Sequence, residues 1–313
     1  MSAALELRGV RKRYGKTVAL DGLDLRVERG TMLGLVGPNG AGKTTTFGVI
    51  SGALQPDEGR VDVLGSGPFD PRSQAGALGL LPQDCALNPH SSARQLLTFF
   101  GRLQGLGRAE ARKDADRLLE AMHLAERAGA RVGQLSHGMK RRLAVAQALV
   151  GDPQLVLLDE PTGGLDPHLV VDMRELLRAE KRKRTMIVSS HILSDLEQTC
   201  DRIAFLEKGR CIREDAIDAM RAATRRVRLR FARSPSDEAR EAIERILGPR
   251  LRELRGSQAT YALEADEPMT ETAPRLLAEL TAAGVPVLEV GAGGTLEEAY
   301  LETRERATHE ADG

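Results

Sequence analysis

The chain has 313 residues, 41% of them hydrophobic, enough for a large domain with a core and a smaller one beside it. Lys plus Arg and Asp plus Glu both number 45, and this zero formal charge argues against a chain built mainly to coat nucleic acid. The N-terminus lacks a charged-then-apolar signal pattern and no run approaches the length of a bilayer span, so any membrane work is expected to be done by another chain.

Residues 4–30 read as β-rich. Leu5, Leu7 and Val10 alternate roughly, Val18–Leu20 and Leu23–Val27 follow, and turns are expected at Gly15-Lys16, Asp21-Gly22 and Glu28–Gly30. Tyr14, beside the first turn, can stack on a base or pack a strand edge. Met32–Val36 is a short apolar run that reads as a buried strand, and Thr44–Ile50 reads as the start of a helix. Between them lies Gly37-Pro38-Asn39-Gly40-Ala41-Gly42-Lys43-Thr44-Thr45, which fits the phosphate-loop spacing. Strand, glycine loop and helix let bare backbone N–H groups wrap a phosphate. Lys43 would reach the β- and γ-phosphates and the Thr44 hydroxyl would coordinate Mg²⁺. A nucleoside triphosphate is therefore the expected ligand.

Arg60–Leu64 alternates as a strand. Gly79–Leu81 is another, and Gln83 beyond it can reach a metal-bound water or stand as an ordinary loop residue. Residues 91–130 are helical by pattern, with one apolar face of Leu96, Leu97, Phe99, Phe100 and Leu103 and another of Ala115, Leu118, Leu119 and Met122. Ser136 is the expected N-cap of a helix that opens His137-Gly138-Met139, and such a helix start suits an anion. Leu155–Leu158 reads as a fully buried central strand carrying Asp159 and Glu160 at its carboxyl end, where ligands of open α/β sheets bind. There Asp159 would hold Mg²⁺ and Glu160 would polarise an attacking water. Gly164–Pro167 reads as a tight turn before a helix. The basic run Lys181–Arg184 reads as a solvated helix end. Thr185–Ser190 is a further buried strand with His191 at the same edge, in reach of a γ-phosphate. Cys85, Cys200 and Cys211 show no metal-ligand spacing and suggest buried or free thiols in a reducing compartment.

These pieces, in this order over residues 4 to about 215, resemble the ATP-binding subunit of an ABC transporter. Walker A corresponds to Gly37–Thr45, the switch glutamine to Gln83, the signature to Leu135–Met139 and Walker B to Leu155–Asp159. Glu160 corresponds to the catalytic glutamate, the D-loop to Gly164–Asp166, the switch histidine to His191 and the adenine-stacking aromatic to Tyr14. The resemblance implies a P-loop α/β fold with a mixed sheet core, an antiparallel β subdomain and a helical signature subdomain at about 86–150. It implies two domains facing head to tail, each ATP lying between Walker A of one chain and Ser136–Met139 of the other. Mg²⁺ would bind Thr44, Gln83 and Asp159. The implied partner is a separate transmembrane permease at the cytoplasmic face of the membrane, with no nucleic acid. A soluble ABC ATPase acting on DNA or ribosomes is the alternative. The family signature reads Leu-Ser-Gly-Gly-Gln, whereas here His137 and Met139 stand at its third and fifth places. Methionine there resembles the branch that exports drugs or polysaccharides.

After residue 221 the pattern changes. Val227, Leu229 and Phe231 alternate, 236–247 reads as a helix, a hairpin flanks Gly256-Ser257, 270–283 reads as a helix and Val285–Val290 as a strand. That order, β-α-β-β-α-β, predicts a small α+β ferredoxin-like unit over 222–303. Thr295–Leu301 is expected to add a short amphipathic helix and 304–313 a flexible tail. This ending resembles the accessory domain of exporter-type ABC ATPases, for dimerisation or regulation.

Overall fold

The computed structural model describes residues 3–181, 183–223, 226–264 and 267–293. The chain divides into two units, Met1–Ala216 and Ile217–Gly313. In the first, β1 (Ala3–Tyr14) and β2 (Thr17–Glu28) form an antiparallel hairpin around Gly15. β3 is Met32–Val36, and β4 (Glu58–Val63) pairs with the other side of β1, giving the order β2-β1-β4. Strands show one face every second residue, and Leu5, Leu7, Leu23, Leu25 and Val27 are buried accordingly. The turn expected at Asp21-Gly22 does not form. β2 runs through it, because Gly22 takes a positive φ of 74° and absorbs one extra residue: Val10 pairs with Leu23 and Arg11 with Asp21. A bulge bends a strand without ending it.

The second sheet adds β5 (Leu78–Leu81), β6 (Leu155–Asp159), β7 (Thr185–Ser190), β8 (Arg202–Glu207) and β9 (Arg210–Ala216) in the order β5-β6-β7-β3-β8-β9. β5, β6, β7, β3 and β8 are parallel and β9 is antiparallel, so the sheet is mixed. β3, β6 and β7 are buried at every residue. Parallel strands covered on both faces need near-continuous apolar runs, which is how they read in the sequence. The parallel strands all end at one edge. Gly37, Glu160 and His191 each follow directly on a strand there, and Gln83 lies just past β5.

The helices of this unit are α1 (Lys43–Ile50), α2 (Ala93–Leu103), α3 (Arg108–Ala121), α4 (His137–Ala148), α5 (Pro167–Lys181) and α6 (Leu193–Glu197). α2 starts in a capping box: Gln95 N–H donates to Ser92 Oγ, and Ser92 N–H to Gln95 Oε1 at 2.9 Å. Its apolar stripe is not one face. Leu96 and Leu97 are buried, but Phe99 and Leu103 are 57% and 61% exposed. At 3.6 residues per turn these apolar positions span more of the circumference than the neighbouring elements cover. The basic run also differs from expectation. Arg184 is buried, bonded to Glu180 Oε2 at 2.7 Å and to Asp152 Oδ1 at 3.0 Å, and Lys183 pairs with Glu180 at 2.8 Å. Lys181 pairs with Asp201, and Arg182 lies outside the described residues. The buried carboxylate of Glu180 gathers Lys183 and Arg184 more strongly than the helix dipole would.

The second unit holds α7 (Ile217–Ala223), β10 (Arg226–Phe231), α8 (Asp237–Leu247), β11 (Leu251–Arg255), β12 (Gln258–Ala262), α9 (Met269–Ala282) and β13 (Val287–Gly293). Its sheet runs β11-β12-β10-β13 with every pair antiparallel. Val227, Leu229, Phe231 and Tyr261 pack on Ile243, Leu247, Leu276 and Leu280 of the two longer helices. This is the split β-α-β arrangement. The helix expected at Thr295–Leu301 and the tail 304–313 lie outside the described residues.

All three cysteines are free. Burial raises each thiol: Cys85 upward, Cys200 far upward, and Cys211, with help from the Glu214 carboxylate, to about 11. Because the thiolate is the nucleophile, we expect iodoacetamide labelling at pH 8 to be on the order of 10²-fold slower for Cys211 in the folded protein than in urea. Equal rates would show that the site opens freely.

Candidate active site

The loop between β3 and α1 has the shape its glycines permit. Gly40 and Gly42 take φ of 80° and 106°, in the region that favours glycine. Gly37 has ordinary φ, but a Cβ there would lie 2.3 Å from the Leu206 carbonyl oxygen. Lys43, at the first turn of α1, folds back over the loop and donates to the Gly37 carbonyl at 2.7 Å and the Pro38 carbonyl at 3.2 Å. Burial lowers its pKa, and the Glu160 and Asp159 carboxylates oppose that shift. Asn39 is exposed at the loop tip, and Pro38 receives the Ala41 N–H at 3.1 Å, closing the turn.

β6 delivers Asp159 into the same place. Its carboxylate is buried and takes the Thr44 hydroxyl on Oδ2 at 3.0 Å and the Ser189 hydroxyl on Oδ1. A hydroxyl and a carboxylate offer oxygen donors alone, the set of a hard divalent cation. Among the described residues no group of three His, Cys, Asp or Glu could hold a metal unaided. The two fit an ion that keeps water and takes its remaining ligands from phosphate, as Mg²⁺ does.

Glu160 follows with a φ of 49°, sparsely populated for a side-chain-bearing residue. Its N–H donates to Ser189 Oγ at 3.0 Å, and its carbonyl accepts from Gly163 N–H at 2.9 Å and from the Arg141 guanidinium. Its Oε1 meets His191 Nδ1 at 2.9 Å, and the His191 side chain is 53% exposed. Phosphate loop, Asp159, Glu160 and His191 thus converge at one sheet edge. A carboxylate fixed at its backbone and paired with an accessible imidazole can take a proton from water.

The start of α4 has its own geometry. Ser136 Oγ accepts from Met139 N–H at 3.3 Å as the N-cap. Gly138 is buried, and a Cβ there would lie 2.6 Å from Leu169. His137 is exposed, its Nε2 3.3 Å from where a Cβ on Gly164 would lie. Asp166, just before α5, accepts the Val170 N–H at 3.0 Å on its carbonyl. Tyr14, 48% exposed at the end of β1, and Gln83, exposed past β5, make no side-chain hydrogen bond to the Lys43–Asp159 cluster. Thr45 is only partly buried beside Thr44. Sequence reading missed Ser189 and Arg141. The first had a signal, a hydroxyl at the carboxyl end of a strand that reads as buried, whereas the second hides among Lys140, Arg141 and Arg142.

Residues 20–163 match the ABC transporter family. A daunorubicin resistance ATP-binding protein, DrrA3 of Streptomyces coeruleorubidus, is 43% identical over 226 residues, covering 71% of each chain. The chain belongs to the ABC transporter ATP-binding family. A Nod factor export ATP-binding protein I of Rhizobium sp. (strain N33) is 40% identical over 222 residues, 69% of this chain and 72% of that one. Among solved structures, cbiO1 of Clostridium perfringens, part of the transporter complex cbiONQ, superposes with a TM-score of 0.64 at 28% identity. It covers 70% of this chain and 90% of its own. The ATP-binding cassette MJ0796, solved as a dimer in a post-hydrolysis state with ADP and Pi, gives 0.62 at 26% identity over 68% of this chain and 98% of its own. As an ABC ATPase, this chain takes ATP as its nucleotide and hydrolysis as its reaction.

Proposed function

We propose that this chain hydrolyses ATP to power export through a separate transmembrane subunit at the cytoplasmic face of the membrane. The observation that carries the reading is the junction at the sheet edge: Thr44 to Asp159 at 3.0 Å, and Glu160 to His191 at 2.9 Å, beside the Lys43 loop. The two relatives are named for drug resistance and for Nod factor export, which supports an exported substrate. Among the described residues no helix is long and apolar enough to cross a membrane, so a partner would supply the passage.

In this reading the Gly37–Thr45 loop cradles the phosphates with its N–H groups, and Lys43 swings from the Gly37 and Pro38 carbonyls to the β- and γ-phosphates. Tyr14 stacks on the adenine. Thr44, Asp159 and Gln83 would hold Mg²⁺, which when bound would neutralise charge on the phosphate oxygens. Ser136–Met139 of a second copy or a paired ATPase subunit closes the site, with Asp166 at the contact. Glu160 takes the proton of the attacking water and His191 steadies the γ-phosphate. Hydrolysis reopens the dimer, and the helices beyond Gln83 pass the motion to the membrane partner. The second unit serves dimerisation or regulation.

The test is phosphate release by purified protein. We expect turnover with Mg²⁺-ATP and a fall to background on adding EDTA. Turnover that survives EDTA would remove the metal from the scheme. Co-purification of a polytopic membrane protein would support export, and ribosomes or DNA in its place would support the soluble alternative.

A further inference from the structure

The peptide of Glu160 is clamped from both sides. Its N–H is taken by Ser189 of β7. Its carbonyl faces Arg141 of α4, whose Nη2 donates to the Glu160 and Asp159 carbonyls, the latter at 3.1 Å, while Nε donates to Pro161 at 3.1 Å. These carbonyls lie where the chain leaves β6, and buried main-chain oxygens need partners. A positive φ on a side-chain-bearing residue is strained and persists where its surroundings over-determine it. Arg141 provides that determination with one rigid planar fork whose Nε and Nη2 reach three consecutive carbonyls, a geometry that a lysine's single ammonium does not reproduce. Lys140, its neighbour on α4, makes no such contact.

Arg141 lies about one turn past His137 on the same helix. The two residues face the same segment: Arg141 bonds carbonyls of Asp159–Pro161, and His137 lies near Gly164, its Nε2 3.3 Å from where a Cβ on Gly164 would stand. Within that segment the Gly163 N–H donates to the Glu160 carbonyl at 2.9 Å, the same carbonyl that Arg141 addresses. The first turns of α4 and the turn carrying Glu160 are therefore joined through Arg141 within one chain, with His137 beside the same turn.

We propose that Arg141 is a positioning residue for Glu160, tying the helix start that faces one nucleotide to the general base that serves another. The proposal rests on the reading that Ser136–Met139 closes the partner's site. Contact of a nucleotide with that helix start moves the Arg141 guanidinium, and with it the Glu160 peptide, so each chain's hydrolysis depends on its helix being docked. Binding of ATP to the chain's own loop does not pass through this bridge.

The experiment uses the full chain, with Arg141→Gln, Arg141→Lys and, as a control, Lys140→Gln. Phosphate release is followed against ATP concentration with Mg²⁺ present, and folding by circular dichroism melting. Arg141→Gln is expected to lower kcat about tenfold or more with KM for ATP within about twofold, and to bring the Hill coefficient toward one. Arg141→Lys is expected to fall between it and the wild type, and Lys140→Gln to match the wild type. Wild-type kcat in Arg141→Gln, or a kcat loss accompanied by an equal loss of ATP affinity, would overturn the proposal. Should Arg141→Gln fail to fold, Arg141→Lys decides alone: wild-type kcat and Hill coefficient would overturn it. A wild-type protein without turnover would instead sink the reading on which the proposal rests.

Discussion

Glu160→Gln is expected to lower ATP turnover by about 10²- to 10⁴-fold, the contribution of a positioned general base, while ATP still binds. The structure explains why the two effects separate. The Glu160 backbone is held by Ser189 and Arg141 through main-chain groups that the substitution leaves untouched. The amide oxygen can still accept from His191, which now sits 2.9 Å from Oε1. Lys43 and its loop keep their carbonyl contacts. What disappears is the basic oxygen. If the nucleotide closes the dimer and hydrolysis opens it, the variant should remain closed. Size exclusion with Mg²⁺-ATP is expected to show a dimer for Glu160→Gln and a largely monomeric wild type at equal concentration. Turnover within a few-fold of the wild type would take Glu160 out of the role of base.

The parts of this site that were legible in the sequence are the local ones. Gly37–Thr44 and Leu155–Glu160 each carry their chemistry in consecutive residues, so strand, loop and carboxylate follow from short-range spacing. Contacts made across elements were not legible. Ser189 reaches Asp159 from the adjacent strand, and Arg141 reaches Glu160 from a helix. Nothing local distinguishes Arg141 from Lys140 or Arg142, because the distinction is which direction each faces once α4 has docked. Phe99 and Leu103 show the same limit for packing. Periodicity reports that a helix is amphipathic, whereas the neighbours decide how much of its circumference is covered. At Arg184 the partners are Glu180, four residues back and itself buried, and Asp152, far away in sequence and close in space; that the Glu180–Arg184 pair is covered is set by packing and not by local spacing. Asp21-Gly22 reads as a turn because turns and bulges draw on the same glycine conformation, and pairing with β1 selects the bulge.

The phosphate loop makes the second large prediction, through three glycines that do different work. Gly42 has a φ of 106° and its added Cβ would lie 2.7 Å from the Ala19 carbonyl oxygen, so alanine meets both strain and a clash. Gly37 has ordinary φ, so alanine there meets sterics alone: 2.3 Å to the Leu206 carbonyl oxygen and 2.9 Å to Ala41 Cβ. Neither obstacle is the end of a flexible side chain. Leu206 belongs to β8, which is locked to β3, so the loop must move instead. Gly40 has a φ of 80° with nothing within 4 Å of its added Cβ, leaving only backbone strain. Gly40→Ala should therefore weaken ATP binding by about 1–2 kcal/mol. Gly37→Ala and Gly42→Ala should each cost at least about 2.7 kcal/mol, a hundredfold in Kd, because the N–H groups would no longer converge on the phosphates. Calorimetric titration of ATP into each variant, with melting curves to confirm folding, gives the comparison. If Gly37→Ala bound ATP as tightly as Gly40→Ala, the loop would have to bind in a shape that frees Gly37 from β8. Its close approach to Leu206 would then have to open on binding, and Lys43 would leave its carbonyl contacts as part of one larger rearrangement.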